Sequence, residues 1–189
     1  MQRAGSRAPG ASQQAETACR IVVARWPDHS VVARELLAEY AGWLGRAACM
    51  DPELVQPDLP DELANLERWY TAPEGRMLLA EVDGQVVGLA GVHALRPGTA
   101  ELKRVYLQPG ARGRHLGRRL VEAAIVEARL LGFDCVILET SPKVMPVAYR
   151  LYLDVGFRPA ARYSRLDLPG VVAMESSCQP DRSPFLRRR

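Results

Sequence analysis

The chain has 189 residues, of which 48% are hydrophobic and 25% charged, and these values are typical of one globular domain. They exclude wholesale disorder, a collagen-like fibre and a disulfide scaffold, and no apolar run reaches the roughly 18 residues of a membrane span. The net charge of +3 is too small for a broad nucleic-acid surface, so neither nucleic acid nor a membrane is expected as a partner.

Both ends of the chain are low in apolar residues and are predicted to lie outside the fold. Residues 1–17 form a predicted disordered tail, 18–176 a single domain, and 177–189 a flexible arginine-rich tail. The N-terminal segment lacks the apolar stretch of a signal peptide, so a cytoplasmic location is expected. The four cysteines and three histidines show no metal-ligand spacing, so no metal site is predicted.

The first part of the domain is predicted to contain one strand and two helices. Residues 18–25 are short, apolar and β-branched, which is typical of a strand. Apolar residues at spacings of three and four then predict a helix over 31–44, with Ser30 as its N-cap. A proline-rich loop over 51–60 leads to a second predicted helix over 61–70.

An antiparallel hairpin is the clearest local prediction in the middle of the chain. Two extended runs, 77–82 and 85–92, are joined by Asp83-Gly84. This pair suits a two-residue type I′ turn, in which both residues need positive φ. A further strand is predicted over 101–108 and is stopped by Pro109.

The rest of the domain alternates between helices and strands. Helix 116–131 carries an apolar stripe, strand 134–140 is almost continuously apolar, and helix 146–155 begins at a proline. Two closing strands are predicted over 163–168 and 171–175. The order β-α-α-β-β-β-α-β-α-β-β predicts an α/β fold with a mixed central sheet and helices on both faces.

The loop between strand 101–108 and helix 116–131 is predicted to bind an anion. Four arginines fall within eight positions there, among glycines that let a phosphate approach the backbone. Positive side chains near a helix N-terminus are repelled by the positive end of the helix dipole, unless a bound anion offsets the repulsion. A bound anion therefore explains the four arginines better than a solvated arginine face does. The loop has neither the lysine of a P-loop nor the glycine spacing of a dinucleotide-binding motif. The residues concerned are Arg112, Gly113, Arg114, Gly117, Arg118 and Arg119.

This loop resembles the pyrophosphate loop of the GNAT acyltransferases, whose pattern is Arg-x-x-Gly-x-Gly/Ala between a strand and a helix. The preceding strand, ELKRVYLQP, resembles the central strand of that family. Ala148-x-x-Leu151-Tyr152-x-x-x-Gly156-Phe157 resembles its closing motif, and the similarity covers about residues 77–176. The chain departs from the pattern at His115, which replaces the first motif glycine, and it lacks an asparagine often found before the closing helix.

The resemblance implies a GNAT-like fold and acetyl-CoA as cosubstrate, with no metal. The pantetheine arm of acetyl-CoA is expected to lie between two splayed strands and to pair with the backbone of Val105, Tyr106 and Leu107. The phosphates are expected at the loop and the start of its helix, on Arg112, Gly113, Arg114, His115, Leu116, Gly117 and Arg118.

The resemblance also implies two catalytic candidates. Tyr152 matches the general acid usual in the family, which protonates the departing thiolate, and packing on a buried helix face is its alternative role. Glu101 stands where some relatives have a catalytic carboxylate that takes a proton from the amine. A salt bridge to Lys103 is the other interpretation of Glu101, and the identity of the base stays open.

The favoured function is an N-acetyltransferase in which an amine attacks acetyl-CoA directly within a ternary complex. A GNAT-fold regulatory protein that binds CoA without transferring an acetyl group is the alternative. The acceptor amine, on a small molecule or on a protein or peptide, has no motif, and a monomer or homodimer is expected. Trp43, Trp69 and Tyr70 are predicted to belong to the core rather than to an acceptor pocket.

Overall fold

The computed structural model describes residues 18–51, 56–164 and 168–178. The predicted tail 1–17 and residues 179–189 of the other tail lie outside these ranges. Strands β1 to β7 span Cys19–Val23, Gly75–Val82, Gln85–Arg96, Thr99–Leu107, Cys135–Thr140, Arg158–Ala160 and Val172–Ser177. Helices α1 to α5 span Ser30–Ala48, Leu59–Ala64, Leu66–Trp69, Leu116–Leu130 and Pro146–Val155. No helix within the described ranges has the length and apolarity that crossing a membrane requires.

The strands form one mixed sheet, as predicted, in the order β1-β2-β3-β4-β5-β7-β6. Neighbouring strands pair antiparallel except for β4 and β5, which are parallel. Because side chains alternate along a strand, Leu78 and Ala80 of β2 join the core under α4, whereas Met77 and Leu79 join the core under α1. The prediction of helices on both faces of the sheet is therefore confirmed.

The hairpin between β2 and β3 forms as predicted, because its turn residues accept positive φ. Asp83 and Gly84 have φ values of 50° and 81°, which is the pair of left-handed conformations that a type I′ turn needs. Val82 and Gln85 pair directly across the turn. The turn thereby sets the register that directs alternate residues of β2 to opposite faces of the sheet.

Two boundaries of the N-terminal helices differ from the prediction. The helix predicted over 61–70 is broken into α2 and α3 at Asn65, whose φ of −127° and ψ of 37° are not helical. The Asn65 side chain donates to the Asp61 carbonyl at 3.1 Å, and such local bonds compete with the helical backbone. Ser30 is the first residue of α1 rather than its cap, and the cap position belongs to His29.

The strand predicted over 163–168 is wrong in its described part. The backbone N–H groups of Tyr163 and Ser164 donate to the Glu139 side chain, both at 3.4 Å, and take no part in a strand ladder. Residues 165–167 lie outside the described chain. The first closing strand is instead the three-residue β6, which forms the sheet edge beside β7.

A buried ionic cluster joins α2 and the segment before it to the middle of β4. The Arg104 side chain is 5% exposed, and its guanidinium donates to Glu62 Oε2 at 2.8 and 2.9 Å and to Asp58 Oδ1 at 3.0 Å. A fourth hydrogen bond goes to Gln56 Oε1. Glu62, which is fully buried, also accepts from the Tyr70 hydroxyl at 2.5 Å. We refer to Gln56, Asp58, Glu62, Tyr70 and Arg104 as the Arg104 cluster.

The backbone of β4 departs from a regular strand at this cluster. The register of β4 against β3 shifts between the pairs Leu89↔Tyr106 and Gly91↔Lys103, and Arg104 has a φ of 58°. Burial alone would lower the pKa of Arg104, but the charges of Glu62 and Asp58 outweigh it and raise that pKa. The guanidinium therefore stays charged, and the bulge turns it onto its acidic partners.

We predict that Glu62→Ala lowers the free energy of unfolding by roughly 3–5 kcal/mol, because it leaves the Arg104 charge buried without its main partner. The measurement is urea unfolding of the variant and of the wild type. Glu122→Ala is the matched control, since it breaks the exposed Arg118–Glu122 ion pair and should cost less than about 1 kcal/mol. Equal losses for the two variants would contradict a structural role for the cluster.

Candidate active site

A cleft opens where β4 and β5 separate. The two strands pair at three positions, from Thr99↔Cys135 to Glu101↔Ile137, and their described residues make no further pairs beyond these. A cavity of about 750 Å³ fills the gap, which is within the size range of small-molecule sites. We call it the central cleft; its walls include Tyr40, Gln56, Glu101, Val105, Thr140, Tyr152 and Tyr163.

Tyr152 brings a phenol hydroxyl from α5 to the central cleft. Its ring is buried against Phe157, with the ring centres 5.7 Å apart. The hydroxyl forms no hydrogen bond with another described residue. Burial, with a smaller contribution from Tyr40, raises the pKa of Tyr152. The phenol therefore keeps its proton at neutral pH, as a general acid must.

Glu101 brings a carboxylate to the same cleft from the point where β4 and β5 part. Tyr163 donates its hydroxyl hydrogen to Glu101 Oε1 at 2.8 Å, and His93 Nε2 lies 3.1 Å from Oε2. The predicted ion pair with Lys103 is present at 3.7 Å. Burial would raise the pKa of Glu101, but the His93 bond, the Lys103 charge and the Tyr163 bond outweigh it and lower that pKa. Glu101 is therefore ionised at neutral pH.

The predicted cofactor strand has one free side. Toward β3, Tyr106 pairs with Leu89 and Leu107 with Gly88, whereas toward β5 the described residues offer this part of β4 no partner strand. The Val105 side chain lines the central cleft. The Tyr106 ring is buried on the α1 side, so Tyr106 can offer a ligand only its backbone.

The predicted anion loop places an open helix N-terminus beyond this strand. Residue His115 occupies the cap position of α4 without a side-chain capping bond, so the first N–H groups of the helix stay free for a ligand. Gly113 has a φ of 79° and open space where a Cβ would stand. Leu116 is fully buried and offers only its backbone, and Gly117 packs near Leu151. None of these described residues lines the central cleft.

The arginines of the loop point in different directions. Arg112 donates to the Leu107 carbonyl at 3.1 Å and stacks over the Trp43 ring, and Arg114 is exposed beside the loop. Arg118 instead pairs with Glu122 along the helix at 2.7 Å, and Arg119 donates to the Cys19 carbonyl at 3.1 Å. Residues 112–117 therefore lie at or next to the N-terminus of α4. The side chains of Arg118 and Arg119 bind other parts of the protein instead.

Comparison with known proteins identifies the family. The model of the acetyltransferase (GNAT) family matches residues 34–157. The chain belongs to the GNAT family of acetyltransferases. It is 36% identical over 149 residues to an uncharacterised N-acetyltransferase of Schizosaccharomyces pombe, covering 78% of this chain and 85% of that protein. It is 33% identical over 129 residues to the uncharacterised N-acetyltransferase YjgM of Escherichia coli, covering 67% and 72%.

Solved structures show the same fold. The PaiA N-acetyltransferase of Thermoplasma acidophilum, in complex with coenzyme A, aligns with a TM-score of 0.67 at 18% identity, covering 85% of this chain and 99% of that one. The YncA protein of Salmonella typhimurium, with acetyl-CoA, aligns with a TM-score of 0.64 at 21% identity, covering 89% and 99%. These two alignments confirm the mixed-sheet fold that the sequence predicts.

The departure from the GNAT loop pattern has a structural explanation at His115. This residue has a φ of 58° and a ψ of 9°, in the left-handed region where glycine is favoured. Histidine is one of the few other residues enriched there. His115 therefore adopts a backbone conformation that a glycine at this position would also accept.

Several residues of the central cleft were not found by sequence reasoning. Tyr40 lies among the apolar residues that predict α1, and the structure places it both in the core under that helix and on the wall of the cleft. Gln56 and Tyr163 lie in irregular segments with no motif. Thr140 is predicted only as the last residue of an apolar strand. Its polar side chain at the end of that strand is the one sequence feature that could have indicated a place in the cleft.

We predict that His115→Val lowers the free energy of unfolding by at least about 1 kcal/mol, whereas His115→Gly does not lower it, because a β-branched residue is strained at this φ. Thermal unfolding of the three proteins measures the difference. Arg114→Val is the control, since it places the same side chain one residue earlier, where φ is not positive. Equal tolerance of valine and glycine at position 115 would contradict the left-handed conformation.

Proposed function

We propose that the protein transfers the acetyl group of acetyl-CoA to an amine by direct attack within a ternary complex. The observation that carries the proposal is that a protonated phenol and an ionised carboxylate, Tyr152 and Glu101, line one cleft between the splayed strands. A general acid and a general base are the two groups that this reaction requires.

The second half of β4 and the N-terminus of α4 have groups that fit acetyl-CoA. The free side of β4 at Val105, Tyr106 and Leu107 suits pairing with the amide groups of the pantetheine arm. The uncapped N–H groups of α4 suit the phosphates, and Arg112 and Arg114 add positive charge there. The solved relatives in complex with coenzyme A and with acetyl-CoA support the same ligand.

The proton transfers follow from the states of the two side chains. The acceptor enters as an ammonium ion. Glu101 removes one proton from it, which frees the lone pair of the acceptor nitrogen. The nitrogen then bonds to the thioester carbonyl carbon, the C–S bond breaks, and Tyr152 gives its proton to the sulfur. The second proton shed by the nitrogen restores Tyr152, and Glu101 returns to its carboxylate form by releasing its proton to solvent. Tyr163 and His93 hold the Glu101 carboxylate in place throughout.

The alternative, a CoA-binding regulatory protein without transfer, rested on the replaced glycine and the absent asparagine. The left-handed His115 backbone removes the first of these arguments. An exposed helix N-terminus that binds CoA would suit a regulatory protein as well as an enzyme. A regulatory protein, however, has no need of an acid and a base such as Tyr152 and Glu101 in one cleft.

We predict that one acetyl-CoA binds per chain and stabilises the fold. At 100 times its Kd, a ligand adds about 2.7 kcal/mol, which for a chain of this size raises the Tm by roughly 5–10 °C. Thermal unfolding and calorimetric titration measure the two effects. NAD and ATP serve as phosphate-bearing controls. A shift with either of them and none with millimolar acetyl-CoA would refute the proposed cosubstrate.

We predict that Tyr152→Phe lowers kcat by about 10² to 10⁴ and leaves the Kd for acetyl-CoA within a few-fold of wild type, since it removes only the proton donor. The release of free thiol from acetyl-CoA with an accepted amine measures kcat. Tyr149→Phe is the matched control on the same helix, because Tyr149 does not line the central cleft. An unchanged kcat with chemistry rate-limiting would assign Tyr152 to the core alone.

A further inference from the structure

Three residues between β6 and β7 contact both of the strands that separate at the central cleft. The pairing of β4 with β5 ends at Glu101↔Ile137, and Glu139 lies two residues farther along β5. Paired residues of neighbouring strands, and residues two apart in one strand, share a face of the sheet, so Glu101 and Glu139 lie on the same face. Residues 162–164 contact both carboxylates, and we call them the bridging segment.

The Glu139 carboxylate holds the backbone of the bridging segment. Its Oε1 accepts from the N–H groups of Tyr163 and Ser164, both at 3.4 Å, and its Oε2 accepts from the Ser164 hydroxyl at 2.6 Å. Arg162 Nε lies 3.5 Å from Oε1, and the Glu139 side chain is only 15% exposed. Because neither N–H belongs to a strand ladder, the carboxylate takes the place of the partner strand that these groups lack.

The phenol of Tyr163 extends from this segment to Glu101. Its hydroxyl donates to Glu101 Oε1 at 2.8 Å. Burial and the Glu101 charge raise the pKa of Tyr163, so the phenol keeps its hydrogen. A hydrogen bond to an ionised acceptor is roughly twice as strong as one between neutral groups. The orientation of the Glu101 carboxylate therefore depends on where the bridging segment is held.

Charged and titratable groups face Glu101 from several elements. His93 of β3 and Lys103 of β4 lie 3.1 and 3.7 Å from its Oε2, and both belong to paired strands. Tyr163 is the contact that comes from a segment without strand pairing. Other such groups are Asp58, Arg104, Glu139 and Lys143, which line the same cleft, and Tyr70, whose pKa the Glu101 charge raises. Among the three direct contacts, that of Tyr163 is thus the one that Glu139 holds in place.

We propose that Glu139 is a positioning residue that holds Tyr163 against Glu101, the general base of the proposed function. This proposal rests on that function and assigns no proton transfer to Glu139. Through the bridging segment, Glu139 keeps the Tyr163 hydrogen bond on Oε1 of Glu101 and the carboxylate in one orientation. A side chain on β5 thereby controls a reactive group on β4 at the place where the two strands no longer pair.

Two substitutions of Glu139 separate positioning from proton transfer. Glu139→Ala removes every contact with the bridging segment. Glu139→Gln keeps an oxygen for the two N–H groups and an amide that can donate to the Ser164 hydroxyl, but it cannot act as a base. For an accepted amine, Glu139→Ala should lower kcat/KM by roughly 10- to 100-fold, because small displacements of a catalytic group have effects of this size. Glu139→Gln should stay within a few-fold of wild type.

Glu175→Ala is the matched control, since it removes an exposed carboxylate from the neighbouring strand β7 and should leave kcat/KM unchanged. Equal losses in Glu139→Ala and Glu139→Gln would assign proton transfer to Glu139 and overturn the inference. An unchanged kcat/KM in Glu139→Ala would overturn it as well.

A double-mutant cycle tests whether Glu139 acts through Tyr163. Tyr163→Phe removes only the hydroxyl that contacts Glu101. If both residues act through that one hydrogen bond, the double variant should lose little more kcat/KM than the more affected single variant. Losses that multiply would show independent roles and overturn the inference. Glu139→Met, which has a similar length and lacks the carboxylate oxygens, replaces Glu139→Ala if thermal unfolding shows that Glu139→Ala does not fold.

Titration of the Glu101 carboxyl carbon by ¹³C NMR gives a readout that does not need turnover. Burial raises the pKa of Glu101, and the His93 bond, the Lys103 charge and the Tyr163 bond outweigh it. Loss of the Tyr163 bond therefore raises that pKa. The carboxyl group should titrate at higher pH than in wild type in Tyr163→Phe and in Glu139→Ala, but not in Glu139→Gln or Glu175→Ala.

Both Glu139 variants lack the Glu139 charge, so the difference between them measures the effect of the contacts alone. The same titration in Glu139→Ala and Glu139→Gln overturns the inference. The proposed function is judged separately by acetyl-CoA binding and by the Tyr152 variant, so the two failures are distinguishable.

Discussion

A buried positive charge in the middle of a strand determines how one wall of the central cleft is built. Arg104 lies at a bulge of β4 with its side chain 5% exposed, and such a charge is tolerated only when it is paired. Its partners Gln56, Asp58 and Glu62 come from α2 and the segment before it. Since α2 has only six residues, too few for a stable isolated helix, its place against the sheet depends on this charge.

The separation of β4 from β5 opens the central cleft beside that wall. The parallel pairing ends at Glu101, and the cleft beyond it receives Tyr152 from a helix that is distant in sequence. Burial keeps the phenol protonated, while hydrogen bonds and the Lys103 charge keep the carboxylate ionised. The environment thus keeps one group protonated and the other ionised at neutral pH, which suits the acid and base roles proposed for them.

The sequence predicts those features that depend on residues a few positions apart. The Asp83-Gly84 turn, the buried stripe of α4 and its open N-terminus all have local patterns. Gln56 and Tyr163 have none, because their roles come from contacts made by folding: Tyr163 meets Glu101 across 62 positions, and Arg104 meets Gln56 across 48. The break at Asn65 and the short β6 were missed for a related reason, since side-chain bonds and edge pairing outweigh the apolar pattern there.

The two ends of the site therefore depend on different parts of the chain. The acetyl-CoA end, as proposed, uses main-chain groups of β4 and of the start of α4, so a side-chain change is tolerated wherever the backbone path is kept, as at His115. The central cleft is instead lined by side chains, among them Gln56, Asp58 and Arg104 of the Arg104 cluster. No described residue of the anion loop lines the central cleft, so the loop and the cleft are formed by separate sets of residues. With the acceptor in this cleft, as proposed, a fold of this kind can keep one cosubstrate while its acceptor varies, since separate contacts would hold the two ligands.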